Sequence, residues 1–265
     1  ELIFNHNGEP VEFYNERVAR GVTRRPRHAP AEASAYADSL KNFDQILFQS
    51  EGQKDDFEQC FPGLSLTKRV IWPSCDESTA REMARARSPL PGNKFNIVCV
   101  AKFQPGKGQF ELLSAFKALI DRNPGIHLSF VGGSVADRSY RDQCVRFVRS
   151  HKLDQDVSFY GARDDAPAFT AHGDLFALTS VGEGVSRAVR EAAFLGVPIV
   201  ATRLTGSESF LSPEGAFFAE SQSTSAIVSA LENAFLDPQS RQHKAGIAAE
   251  RYKTLSRWDV FSRSV

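Results

Sequence analysis

The sequence predicts an α/β protein built on a parallel sheet with helices on both faces. Two observations carry that prediction. From residue 95 onward, short apolar runs alternate with stretches of helical spacing, and the turns between them are short and rich in Gly and Pro. The chain has 265 residues, 42% of them hydrophobic, enough for one large core or two ordinary ones.

Near the start, residues 2–4 read as a short strand running into the turn formers Asn5, His6, Asn7 and Gly8. Loops after the strands of open α/β sheets carry chemistry, so His6 is a candidate ligand or acid/base residue as well as an ordinary loop histidine. Arg17, Arg20, Arg24, Arg25, Arg27 and His28, with Pro26 and Pro30, make a basic loop. It fits an acceptor phosphate, a lipid headgroup, RNA or plain solvent, and the absence of interleaved aromatics favours solvent. Residues 31–40 read as a helix, 43–50 as a core strand, 51–60 as a helix and 70–73 as a last short strand before a charged stretch from Asp76 to Pro91.

The second part is plainer. Residues 96–101 are a strand, and the helix that starts near Gly108 presents Phe110, Leu113 and Ile120 at core-facing spacing until Asn123, Pro124 and Gly125 end it. Strands follow at 126–131, closing in Gly132-Gly133-Ser134, and, after a helix at 140–150, at 157–160, closing in Gly161-Ala162-Arg163. A fourth strand, 174–178, ends just before Gly182 and Glu183. A helix from about Ser186 is stopped by Gly196, strands at 197–201 and 216–219 follow, and helices continue beyond Ser223 with Trp258 in the last.

Lys plus Arg equals Asp plus Glu at 32 each, so no global field draws the chain to nucleic acid or anionic membrane. Cys60, Cys75, Cys99 and Cys144 are scattered, without Cys-x-x-Cys or a nearby His at ligand spacing, and read as reduced thiols of a cytoplasmic protein. No apolar run approaches the ~18 residues that span a bilayer, and no signal-peptide pattern opens the chain. It starts at Glu1 in what is already strand-like sequence, and so reads as beginning inside a domain.

The densest chemistry lies between Val181 and Thr202. A turn with two glycines feeds a helix N-terminus, where free N–H groups and the helix dipole favour an anion. Glu183 and Glu191 are eight positions apart, about 800° at ~100° per residue, so they converge only if Glu183 sits in the turn. Carboxylates there accept from sugar hydroxyls while Gly184, Val185 and Ser186 offer N–H groups to a phosphate. In isolation the same pair reads as a loop acid and a surface helix acid. Lys102 and Lys107 stand in the Gly- and Pro-rich turn after the strand at 96–101, where point cations neutralise a diphosphate. Gly133 permits close backbone approach, and Gly161 and Arg163 could flank a nucleobase.

From Glu183 to Thr202 the sequence resembles the Glu-seven-residues-Glu signature of retaining glycosyltransferases of family 4, with Val185 and Ser186 in place of the usual Phe and Gly. The turn at Lys102 and Lys107 is similar to that family's Gly-Arg-x-x-x-x-Lys-Gly, with Ala101 for Gly and Lys102 for Arg. Thr205-Gly206-Ser207-Glu208 resembles its Gly-Gly-x-x-Glu loop. The resemblance implies a GT-B fold: a complete C-terminal Rossmann-like domain, residues 91–265, and a partial N-terminal one, residues 1–90, whose first strands are missing or supplied by a partner chain. It also implies hexose transfer with retention from a UDP- or GDP-sugar, without a metal or other cofactor, to a glycan, lipid-linked or small-molecule acceptor. The catalytic group would be Glu183, Lys107, Lys102 and His6, with Glu191 on the ribose. Rival readings are a noncatalytic nucleotide-sugar-binding subunit and an epimerase or phosphorylase on the same fold. The protein would be cytoplasmic, with the loop carrying Arg20 and Arg27 available for contact with the inner face of the membrane.

Overall fold

The computed structural model describes residue 40 and residues 45–88, 90–134 and 138–256. The strand expected at 2–4, His6, the basic loop with Arg20 and Arg27, nearly all of the helix at 31–40, and Trp258 lie outside the described residues.

The first described unit is a parallel pair, β1 (Gln45–Phe48) and β2 (Thr67–Val70), joined through α1 (Glu51–Cys60). Helix α1 starts where it does because Ser50 is extended and its hydroxyl accepts the Gln53 N–H at 3.2 Å. Ile46, Phe48, Phe57 and Phe61 form a small core between strands and helix. The sequence placed the second strand at 70–73. The ladder instead pairs Gln45 with Thr67 and Phe48 with Val70, and beyond Ile71, whose N–H still reaches the Phe48 carbonyl at 2.8 Å, Pro73 has no N–H to extend it. The apolar Trp72 is used elsewhere, against Phe210 at 6.0 Å between ring centroids.

The charged stretch from Asp76 to Pro91 holds a helix the sequence reading did not assign, α2 (Glu77–Ala84), capped by Asp76 accepting the Thr79 N–H at 3.0 Å. Hydrogen bonds from Thr79 and Ser78 hold the Asp76 carboxyl down at about 2.

The main sheet has six parallel strands: β3 (Phe95–Val100), β4 (Ile126–Val131), β5 (Val157–Gly161), β6 (Leu175–Leu178), β7 (Ile199–Thr202) and β8 (Phe217–Ala219). Their spatial order is β5-β4-β3-β6-β7-β8. Helices α3 (Gln109–Ile120), α4 (Ser139–Ser150), α5 (Ala166–His172), α6 (Arg187–Phe194), α7 (Thr205–Leu211), α8 (Thr224–Leu236) and α9 (Pro238–Leu255) cover it. One apolar core, with Phe116, Leu128 and Leu231, lies on one face, and a second, with Phe176, Val189 and Phe210, on the other. This is a Rossmann-like sheet, and the α/β architecture is of GT-B type.

Local structure goes beyond the sequence-based expectation at three points. Strand β7 begins at Ile199 rather than Val197, because the Val197 N–H is spent on the Ala192 carbonyl at 2.9 Å to finish α6. Helix α5 occupies a stretch to which the sequence assigned no element, and α7 begins at Thr205, inside the Thr205 to Glu208 stretch that resembles a loop. After β3 the chain builds outward through β4 and β5 and then returns to β6 on the other side, so a crevice opens at the carboxyl ends of β3 and β6, where strand order reverses.

Candidate functional site

That crevice is a cleft of about 700 Å³. The loop after β3 contributes Lys102, Gln104 and Lys107 to its wall. Its shape is set by a short 3₁₀ turn at Pro105–Lys107 and by Gly108 at φ +69°, where any Cβ would come within 2.1 Å of the Thr179 carbonyl oxygen. The Thr179 hydroxyl donates to the Gly108 carbonyl at 2.9 Å and the Val181 N–H to the Gly106 carbonyl at 3.0 Å. These bonds staple the loop after β3 to the loop after β6, and so set the Lys107 ammonium against the Glu183 carboxylate as an ion pair.

Glu183 sits in the turn, as convergence with Glu191 requires, and is 6% exposed. The Ser180 hydroxyl also donates to it, at 2.9 Å. Glu191 lies one helical turn inside α6, is equally buried, and accepts from the Arg187 guanidinium at 2.8 Å, an i,i+4 pair whose arginine is mostly in solvent. Both carboxylates line the cleft. Lys102 is exposed at its wall, and among the described residues its ammonium makes no ion pair.

Gly184, Val185 and Ser186 line the cleft between the two glutamates. Val185 is buried in the core under α6, and the Ser186 hydroxyl makes no capping bond, so the helix's first N–H groups are left for a ligand at the cleft. Behind them, Gly206 packs so closely that a Cβ there would stand 2.1 Å from the Gly184 carbonyl oxygen. Thr205 to Glu208 is therefore the first turn of α7 and supports the Glu183 turn from behind. Glu208 pairs with Arg203 and does not reach the cleft.

After β4, Gly133 lines the cleft, but Gly132 is the residue the backbone requires. At φ +151° its Cβ would lie 1.9 Å from the Ala101 carbonyl oxygen. After β5, Arg163 lines the wall, forked onto Asp165 at 2.8 and 2.7 Å with its guanidinium 5.7 Å over the Phe169 ring. Gly161, expected to contact a ligand, does not line the cleft. Its φ of +71° turns the chain, and its carbonyl accepts the Gly132 N–H at 2.7 Å, so it positions the loop instead.

Gln49, Gln104, Asp164 and Arg187, which no sequence motif singles out, also line the cleft. Arg187 was findable at i,i+4 from Glu191, and Gln49 by its place immediately after β1. Among the described residues no group of three or more His, Cys, Asp or Glu side chains could hold a metal ion, and no helix is long and apolar enough to cross a membrane. The four cysteines are free thiols, and burial pushes Cys99 and Cys144 up to about 12, away from reactivity at neutral pH.

Comparison with known proteins adds a family match. The family described as glycosyl transferases group 1 matches residues 80–251. The chain is 24% identical over 213 residues to an uncharacterized glycosyltransferase of Methanocaldococcus jannaschii, covering 77% of this chain and 49% of that protein. It is 25% identical over 235 residues to the GDP-mannose-dependent alpha-(1-6)-phosphatidylinositol monomannoside mannosyltransferase of Mycobacterium tuberculosis, covering 83% and 60%. The chain thus spans about half to three fifths of the length of these curated relatives. In fold it is similar to the crystal structure of Anabaena HepE in complex with UDP, with a TM-score of 0.78 at 20% identity, covering 90% of this chain and 67% of that one.

Proposed function

The chain belongs to the glycosyl transferases group 1 family, and from that premise we propose that it moves a hexose from a UDP- or GDP-linked donor to an acceptor hydroxyl with retention at the anomeric carbon. The observation that carries this reading is the convergence of Lys107, Glu183 and Glu191 on one cleft at the point where strand order reverses. The mannosyltransferase relative uses GDP-mannose and the HepE neighbour holds UDP, which supports a nucleoside diphosphate sugar as donor.

In this reading the diphosphate lies against the first N–H groups of α6, with Lys102 and Lys107 neutralising it. Its oxygens take the Lys107 ammonium from Glu183, and Glu183 is freed to accept from sugar hydroxyls. Glu191, steadied by Arg187, takes the ribose hydroxyls, Gly133 lets the backbone approach the donor, and Arg163 flanks the base. The bond from C1 to the diphosphate oxygen breaks, a bond from the acceptor oxygen to C1 forms on the same face, and the acceptor proton leaves with the diphosphate. Fixed positive groups aimed at the leaving group lower the barrier by stabilising charge that develops only in the transition state, so no divalent cation is assigned to the step. We assign residues 91–265 to the donor and residues 1–90 to the acceptor side, the acceptor being a glycan, a lipid-linked sugar or a small molecule.

Proton NMR of the product tests the stereochemistry. The account predicts the same anomeric configuration in product and donor. An inverted product contradicts it.

A further inference from the structure

Among the described residues, Gln49 is the only one upstream of Val100 that lines the cleft. It follows β1 directly, at the carboxyl end of that strand, and faces the Glu183 turn across the space between the two sheets. Its backbone N–H is held by the side-chain oxygen of Gln53 at 2.9 Å, while the Gln53 N–H is held by Ser50. The first turn of α1 therefore fixes Gln49 by a reciprocal pair of side-chain bonds.

Both glutamines lean on one spot. A Cβ built on Gly184 would stand 2.9 Å from Gln53 Nε2 and 3.0 Å from Gln49 Oε1, so the missing side chain of Gly184 is what admits the two carboxamides beside Glu183. Neither is used up. Among the described residues, the fully buried Gln53 has no hydrogen-bond partner for its Nε2, and the Gln49 carboxamide makes no hydrogen bond. An unmade bond at a buried amide costs free energy that a ligand can recover.

A neutral carboxamide that both donates and accepts matches a hydroxyl, which does the same, and is a poor match for a diphosphate, which calls for cations. Resting on the transferase reading above, we propose that Gln49 is the residue by which the first unit recognises sugar: its carboxamide hydrogen-bonds a ring hydroxyl of the sugar presented at Glu183, and Gln53 is the positioning residue that holds it there. The hydroxyl belongs either to the transferred sugar or to a sugar acceptor.

Calorimetry on the whole protein separates these sources. In Gln49→Ala, affinity for free UDP or GDP is expected within twofold of wild type, and affinity for the matching nucleotide sugar about tenfold lower. Gln53→Ala gives a smaller loss and Gln49→Asn a partial one. Monodeoxy donors supply the second measurement: the deoxy position that weakens binding to wild type no longer weakens binding to Gln49→Ala. If donor binding is unchanged but the acceptor KM rises about tenfold at constant donor KM, the hydroxyl is the acceptor's and the proposal stands. Unchanged donor affinity and unchanged acceptor KM in Gln49→Ala overturn it, as does an equal loss for free nucleotide and nucleotide sugar. Wild-type protein that binds no nucleotide at all sinks the transferase reading itself, a different result from these.

Discussion

Glu183 and Glu191 differ in what holds them, and that difference matches the separate roles proposed for them. Glu183 is tied across 76 residues of chain to Lys107, so this ion pair forms only once the loops after β3 and β6 have been brought together. Glu191 is tied within its own helix to an exposed arginine, a pair of small worth on its own. In the mechanism proposed above, the Glu183 pair is the one a diphosphate breaks, since Lys107 exchanges one anionic partner for another. Away from the cleft, His127 in β4 sets a pH limit on the fold. Burial holds its pKa below the usual histidine value, Lys94 lowers it further, Asp156 opposes, and its ring bonds the Ser158 hydroxyl at 3.0 Å. The unfolded chain therefore takes up a proton near pH 6.5 that the folded chain takes up only lower down, and stability falls as pH drops from about 6.5 toward the folded value. Urea unfolding at pH 7.5 and 5.5 should show this loss in wild type and a flatter response in His127→Gln. A loss of equal size in both would mean that other groups set the slope.

Elements were legible in the sequence in proportion to how far their signal is local. The inner strands of the main sheet, β4, β6 and β7 above all, are buried along their whole length and mostly apolar, and stand out for that reason, while the edge strand β5 is mostly half-buried. The turn-then-helix that places Glu183 and Glu191 follows from spacing and from Gly196. Helix α2 is hidden because only Ala80 among its eight residues is buried, so its surface charges read as linker. Helix α5 has seven residues with a Pro in its first turn, and α7 has seven including Gly206 and two serines, so neither carries a helical period. Tertiary contact decides α7, whose Gly206 packs on the Gly184 carbonyl. The same logic separates the paired glycines after β4. Gly132→Ala should destabilise by about 3 kcal/mol or prevent folding, since both its φ and its contact with Ala101 forbid a side chain. Gly133→Ala, whose Cβ would meet, among the described residues, only the Ala162 Cβ at 3.3 Å, should cost far less. Thermal or urea unfolding of the two variants checks this, and equal costs would contradict it.

At the scale of the whole molecule, the site exists because of strand order. Building outward from β3 and then crossing to β6 leaves a crevice at the carboxyl edge, and the loops that open there carry Lys102, Lys107, Gly133, Arg163 and Glu183, the groups to which the proposed mechanism assigns parts of a nucleotide sugar. The two sheets meet beside it. Gly52 of α1 sits so tightly under α7 that a Cβ would be 2.3 Å from the Thr205 methyl, and Gln49 reaches the Glu183 turn from the same side. The order of the sheet and the pairing of Lys107 with Glu183 were beyond the sequence, because both depend on contacts between residues far apart in the chain. The most direct test of the account is calorimetric titration of the protein, and of Lys107→Ala and Glu191→Ala, with a panel of UDP- and GDP-sugars. The account predicts that at least one donor binds wild type and that each substitution weakens it by ~1 to 3 kcal/mol, the usual cost of losing a charged hydrogen-bond partner. Unchanged affinity in both variants, with the fold intact, would contradict it.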